Sequence, residues 1–527
     1  MKRLWGAVLG VCVWAGCSAE DGAKPAPGVD DAPESPVVEG TPPSDGTGGP
    51  VVVQPGPLPA EPPREEPPPA EEPPPTPACT GPDGTARLAW SYEGAWGQTM
   101  DFRGTMDADG RTYWTECESA YWSDKEPGER PCELFSASRD GVIRYRLALA
   151  NDSAPAVHAV DADRLYLTSH GPVVSSRARV DGRELWSTDI SGLRAELPEG
   201  TAFYIDSVAL SAPHVLVVVR NSYEEVEGQS LLVALHMDTG AVVWKAATPP
   251  VGTPLGLPLV VDAEGNSYGG AYDATAKQTT LFSYSAEGTQ RWQVRRAGER
   301  RPVAVDGGRL ILDRAEVADA ATGATLATLA TASTDGSYVS FGQSNSPYGR
   351  VAFQAAGTLV LPHQPCAGEG CPTELHPGRT FLYSLDPESG ALRWHRAVGA
   401  WPMAPLLTNR NTLLLVDRPP SENCEEDYNC TGDDSHYTSV LRELDVKDGR
   451  ELAACALPGT APNITPPALY RGRVVMGVWT NWLASNDWSR RMSIRAFDLS
   501  APAEPASTGW VTAGGGNSRS GTPKSQP

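Results

Sequence analysis

The residues best suited to chemistry in this chain of 527 are its ten cysteines, its eight histidines and a series of acidic turns. Cys12 and Cys17 lie close to the N-terminus. The other eight are Cys79, Cys117, Cys132, Cys366, Cys371, Cys424, Cys430 and Cys455. In an exported chain an even set reads as disulfides, and eight cysteines permit roughly 105 connectivities. Short intervening loops favour Cys117 with Cys132, Cys366 with Cys371 and Cys424 with Cys430, leaving Cys79 for Cys455. That last bond would close a very long loop, and chain entropy alone could then contribute up to about 5–6 kcal/mol. His363, Cys366, Cys371 and His376 also form a set of ligand types suited to zinc, although an oxidising compartment favours the disulfide. Around Cys424 and Cys430, the acids Glu425, Glu426, Asp427, Asp433 and Asp434 read as a solvated loop, with a divalent-cation site as the alternative. The turn Asp107-Ala108-Asp109-Gly110 offers oxygen ligands, but it lacks the EF-hand series and sits where a hairpin must turn. No Gly-x-Ser-x-Gly elbow, His-Glu-x-x-His helix, P-loop or Cys-x-x-Cys-His haem site occurs. The sequence therefore assigns no catalytic, cofactor-binding or metal-ligating residue.

The N-terminus carries an address. Met1-Lys2-Arg3 is a short basic region, and Leu4 to Ala15 is an apolar run too short to span a bilayer and of signal-peptide length. It ends at Trp14-Ala15-Gly16-Cys17. Small residues before a cysteine here resemble the bacterial lipobox, with Trp14 where leucine is usual. The resemblance implies a signal peptide of residues 1–17 and lipidation of Cys17. It also implies, through Ser18, an outer-membrane lipoprotein of a Gram-negative bacterium, facing the periplasm or the cell surface. Several acyl chains on one residue suffice for stable anchoring.

Residues 18–78 hold 19 of the 49 prolines, with 12 acidic and two basic residues. Such a segment has nothing to bury, and it reads as a disordered, polyproline-rich linker. Fully extended it could reach on the order of 190 Å, at about 3.1 Å per residue. The whole chain has a net charge of −22, of which residues 79–527 carry −14. That balance argues against a nucleic-acid partner and against docking on anionic lipid by charge.

Residues 79–527 read as one repetitive domain. A polar residue, a glycine, three residues and a tryptophan recur in DGRELW (Asp181–Trp186), DTGAVVW (Asp238–Trp244), EGTQRW (Glu287–Trp292) and ESGALRW (Glu388–Trp394). Degenerate copies end at Tyr145, Ala327 and Ala453, and Trp90 and Trp510 look like the two ends of the series. Between these copies lie pairs of short apolar runs around turns rich in Asp, Asn and Gly, such as TMDADGRTYW from Thr105, HAVDADRLYL from His158 and LVVDAEGNSY from Leu259. Each pair reads as a β-hairpin. A hairpin, a third strand, a glycine turn and a tryptophan-bearing fourth strand make a four-stranded unit. Units repeated radially give an all-β propeller. Eight blades fit the spacing; seven stays open, because the units ending at Ala327 and Ala453 are degenerate. Glycine supplies the positive φ of the turn. Trp90, Tyr145, Trp186, Trp244, Trp292, Trp394 and Trp510 are expected to pack against neighbouring blades as structural aromatics.

The Asp-x-x-Thr-Gly-x-x-x-Trp pattern resembles the PQQ-type propeller repeat of quinoprotein alcohol dehydrogenases and of the lipoprotein subunit of the outer-membrane barrel-assembly machinery. The stretch Gly514–Gly521 is similar to one found beside such repeats. The dehydrogenases carry adjacent cysteines against the quinone, and this chain has no Cys-Cys pair. The sequence thus favours a non-enzymatic, cofactor-free scaffold lipoprotein of the cell envelope that presents a propeller to a protein partner. Recognition would come from insertions after Gly110, Leu361 and Pro419. The alternatives are a quinone-dependent oxidoreductase and an envelope polysaccharide binder. The binder would use Trp122, Trp401, Trp479, Trp482 or Trp488.

Overall fold

The computed structural model describes residues 79–505, apart from internal stretches of which 119–130, 222–229, 250–258, 329–351, 364–379, 418–438 and 481–490 are the longest. Among the described residues the strands form eight four-stranded antiparallel sheets, and the chain is a β-propeller. Seven sheets are consecutive in sequence, from Gln98–Leu149 in the first to Leu406–Ala456 in the seventh. The eighth joins Ala468–Tyr470, Arg473–Thr480 and Arg491–Asp498 to the N-terminal strand Arg87–Glu93, which pairs with Arg491–Asp498 and so closes the ring. Trp90 therefore belongs to the last sheet rather than opening the series. Trp510 lies outside the described residues. No described helix is long and apolar enough to cross a membrane.

Sequence pattern follows position in the sheet. Third strands such as Ser230–His236 are buried along almost their whole length, because neighbouring sheets cover both faces. Fourth strands such as Val242–Ala247 and Gln290–Ala297 alternate exposed with half-buried residues, because their outer face meets water. Among the described residues the core is divided into separate clusters. Apolar clusters fill the seams, one between the second and third sheets around Tyr166, Trp186, Val215 and Val233, another around Val260, Val305, Ile311 and Val317.

The repeat's aromatics build those seams. Trp186 Nε1 donates to Met237 O at 2.7 Å, Trp244 to Ala286 O at 2.9 Å, Trp292 to Ala320 O at 3.0 Å and Trp394 to Val446 O at 2.8 Å. Trp90 donates to Arg139 O at 2.9 Å across the closing seam, and the Tyr145 hydroxyl reaches Arg179 O at 3.5 Å. In each case the acceptor belongs to the turn between the third and fourth strands of the following sheet. The glycine of that turn lies flat under the ring. Gly288 has φ +82°, and a Cβ there would stand 2.5 Å from Trp244 Cδ2. In all eight fourth strands the residue just before the docking position falls out of register, as Leu185 does between Glu184 and Trp186. Such a bulge turns the next side chain toward the neighbouring sheet.

The acidic turns hold the hairpins. Asp262 Oδ1 accepts the N–H groups of Glu264 and Asn266 at 3.1 and 2.8 Å, and its Oδ2 accepts the Tyr268 hydroxyl at 2.6 Å. Asp161 repeats this with Asp163, Arg164 and Tyr166. Asp107 takes the N–H groups of Asp109 and Arg111, the Tyr113 hydroxyl at 2.6 Å and Arg179 Nη1 at 3.0 Å. These donors occupy the carboxylate lone pairs that a cation would need.

Three predictions test this fold. Gly288→Ala combines a left-handed backbone with overpacking against Trp244, and should destabilise the protein by about 2–4 kcal/mol. Thermal melting reads this as a fall of several degrees, whereas Gly192→Ala, in open space, should change little. Asp262→Ala takes the acceptor from the Tyr268 hydroxyl proton, the Asn266 side-chain amide and two backbone N–H groups, and should remove about 2–3 kcal/mol. Dialysis against EDTA should leave the melting midpoint unchanged; a drop on chelation would show that the turns hold a cation.

Candidate functional site

Strand order divides the ring into two ends. At one end, tight turns join first to second strands and third to fourth strands. These turns carry the acidic caps and the docking glycines. At the other end second strands lead to third strands and each sheet leads to the next. The strand ends that bracket 119–130, 222–229, 364–379, 418–438 and 481–490 all stand at this second end. Its described rim is the candidate functional surface. The sequence placed an insertion after Gly110, but there the second strand Thr112–Glu118 continues and the break comes at residue 119. Cys17, Cys366, Cys371, Cys424, Cys430, Trp122, Trp401, Trp482 and Trp488 lie outside the described residues. Trp479 lies on the strand Arg473–Thr480.

On the first sheet Cys117 and Cys132 are register partners and are joined by a disulfide. The bond clamps the strand ends on either side of 119–130. Directly behind it Glu116 is buried and accepts Trp114 Nε1–H at 3.1 Å and a hydrogen bond from Tyr92. Trp114 stacks on Phe135 with centroids 5.2 Å apart, and the Tyr92 ring lies 5.0 Å from Trp114. Arg146 covers the Phe135 ring and donates to Glu133 Oε2 at 2.7 Å. Burial pushes the Glu116 carboxyl above the usual carboxylate range, against the pull of its donors. Tyr92 comes from the closing strand, so this cluster also ties the eighth sheet to the first.

At the inner edge of the ring, Arg103 bridges the first two sheets. Its Nε and Nη2 donate to Asp101 at 3.1 and 3.2 Å, and its Nη1 meets His158 Nδ1 at 3.3 Å. His158 Nε2 meets Thr168 Oγ1 at 2.7 Å. Burial, and then the Arg103 cation, hold His158 well below its ordinary range, so the ring is neutral. A guanidinium can only donate, so Nδ1 is the acceptor and Nε2 carries the proton given to Thr168. The arrangement is a polar clamp between inner strands. Among the described residues no group of three or more His, Cys, Asp or Glu side chains gathers in a form that could hold a metal.

The structure joins Cys79 to Cys455, so two of the four bonds weighed from sequence are present among the described residues. The cluster of Glu116, Trp114 and Tyr92 and the clamp of Asp101, Arg103 and His158 were missed. The only sequence signal for the second was an isolated polar residue inside an apolar hairpin strand, Ala156–Val160.

No protein-family model matches the chain, and no curated protein sequence matches it. Among solved structures it is similar to the quinohemoprotein alcohol dehydrogenase ADHIIG of Pseudomonas putida HK5. The TM-score is 0.50 and the identity 13%, over 80% of this chain and 78% of that one. A quinohemoprotein alcohol dehydrogenase of Comamonas testosteroni gives 0.46 at 12% identity, over 79% and 77%. BamB of Moraxella catarrhalis gives 0.42 at 12%, over 78% of this chain and 100% of that one. Likeness at this level of identity speaks to fold alone: the chain is similar in architecture to the PQQ-type propellers.

Proposed function

We propose that this chain is a non-enzymatic scaffold lipoprotein of the bacterial cell envelope. In this reading residues 1–17 direct export and Cys17 carries the lipid. Residues 18–78 form an acidic tether on the outer membrane, and 79–527 present the propeller to a protein partner. The observation that carries it is the internal use of the repeat's own chemistry. Tryptophan N–H groups are bound to neighbouring carbonyls, and turn aspartates are bound to amides and tyrosines. Recognition then falls to sequence inserted between second and third strands, at one end of a rigid frame.

Two measurements test the proposal. Cys17→Ser should move the protein from the membrane fraction to the soluble fraction, while its circular dichroism stays unchanged; persistent membrane association would remove the lipid anchor from the reading. Cross-linking in intact envelopes, followed by purification of the tagged chain, should recover a discrete protein partner together with a spectrum free of visible absorbance. A quinone-like chromophore at one per chain would overturn the scaffold role in favour of an oxidoreductase. Retention on envelope polysaccharide without a protein partner would overturn it in favour of glycan binding.

A further inference from the structure

We infer that the Cys79–Cys455 disulfide is a force-bearing latch, which passes a pull on the N-terminal segment into the seventh sheet and keeps it off the strand that closes the ring. The source of the pull rests on the tether reading above; the load path rests on the fold. Among the described residues the closing strand Arg87–Glu93 has one strand neighbour in the eighth sheet, Arg491–Asp498, with Arg87 opposite Asp498 at the end where the N-terminal chain arrives. A pull from that end opens an antiparallel pair one hydrogen-bonded step at a time, the mode in which a strand resists least. The strand also carries Trp90, whose Nε1 donates to Arg139 O and whose ring covers Gly141. Its departure would therefore open the seam to the first sheet as well as strip the edge of the eighth.

Cys79 precedes this strand, and its disulfide partner Cys455 lies on Glu451–Ala456, the fourth strand of the seventh sheet. A pull arriving at Cys79 thus enters the seventh sheet before it reaches Arg87. The bond also sits where the ring's usual fastening is missing. The docking position of the seventh sheet is Ala453, with no ring to lay on its neighbour. The turn that would receive one is replaced by the incoming N-terminal chain: Thr85 bridges Ala456, and the Ala86 N–H donates to Ala456 O at 2.8 Å. Ala86 is buried among Leu457, Leu469 and Phe497. The covalent bond thus stands in for the aromatic dock at the seam where the external load arrives.

A single-molecule pulling experiment on the full chain tests the latch. One handle is placed on an N-terminal tag and the other on an azide-bearing residue replacing exposed Glu264 in the fourth sheet. The intact ring should rupture with no earlier lengthening. With Cys79→Ser and Cys455→Ser, an early low-force lengthening should come first, of at most about 50 Å, the contour of residues 79–93 at about 3.4 Å each less the distance they already span. If that pair of substitutions prevents folding, the folded protein is reduced on the instrument in a Cys117→Ser, Cys132→Ser background, and the same early step is expected. Superimposable traces with and without the bond, or an early step in the intact protein, would overturn the latch. Loss of the lipid-anchor reading shows separately, in the fractionation of Cys17→Ser, and leaves these traces unchanged.

Discussion

A tryptophan laid on a glycine is the contact through which one sheet of this ring grips the next. Each sheet is a short, strongly twisted object that cannot bury both faces by itself, so its stability comes from its neighbours. The ring of Trp244 supplies a large apolar face, and its N–H needs an acceptor once water is gone. Ala286 O provides that acceptor, and Gly288 provides a surface with no Cβ in the way. Any side chain there would both strain the backbone and push the ring out. The same demand, met at seam after seam, sets the positions of glycine, bulge and aromatic in the sequence.

The dock also dictates what stands behind it. The residue directly opposite each described aromatic on the third strand is small: Ser136 faces Tyr145, Ser176 faces Trp186, Ala234 faces Trp244, Ser283 faces Trp292, Ser384 faces Trp394 and Ala496 faces Trp90. Where the docking residue shrinks, the opposite one grows. Val317 faces Ala327, and Glu443 faces Ala453. Glu443 is buried and accepts the Thr412 hydroxyl at 2.8 Å, with Arg410 at 3.4 Å. Close packing permits no empty space of ring size, so the third strand fills the volume the fourth leaves. The degenerate units are thus repacked solutions of the same constraint.

This explains what was legible in the sequence and what was not. The repeat, the hairpins and the glycine–aromatic spacing are local, because each sheet folds from consecutive residues, and a period survives loops of different length. Ring closure is not local. Trp90 reads as the start of a series because nothing near it in sequence reveals that its strand pairs with Arg491–Asp498. Elimination among the cysteines pairs Cys79 with Cys455, but no sequence pattern ties that bond to the missing ring at Ala453. The acidic turns were legible as turns, yet their partners were hidden. A tyrosine five or six residues past an aspartate looks like an ordinary strand residue until the hairpin folds and brings the Tyr268 hydroxyl onto Asp262. The Arg103–His158 clamp was illegible for the same reason, since its two halves sit on different sheets.

Function is hard to read here because the most recognisable residues answer to the ring. A motif that must recur at every seam is constrained by its neighbours and has little freedom left for a ligand. Whatever distinguishes one such propeller from another must lie where the period breaks. In this chain it breaks at the bracketed stretches beyond the second strands and at two seams, the fifth at Ala327 and the seventh at Ala453. At the stretch after residue 118, the Cys117–Cys132 bond and the buried cluster around Glu116 give the inserted sequence a rigid base. At the seventh seam, a covalent bond replaces a packing contact, and it does so beside the point where the N-terminal chain enters. The fifth seam, where Ala327 also lacks a ring, carries no disulfide among the described residues, so repacking alone does not account for the bond at the seventh. The departure makes sense when the ring is something that is held, and pulled on, from that side.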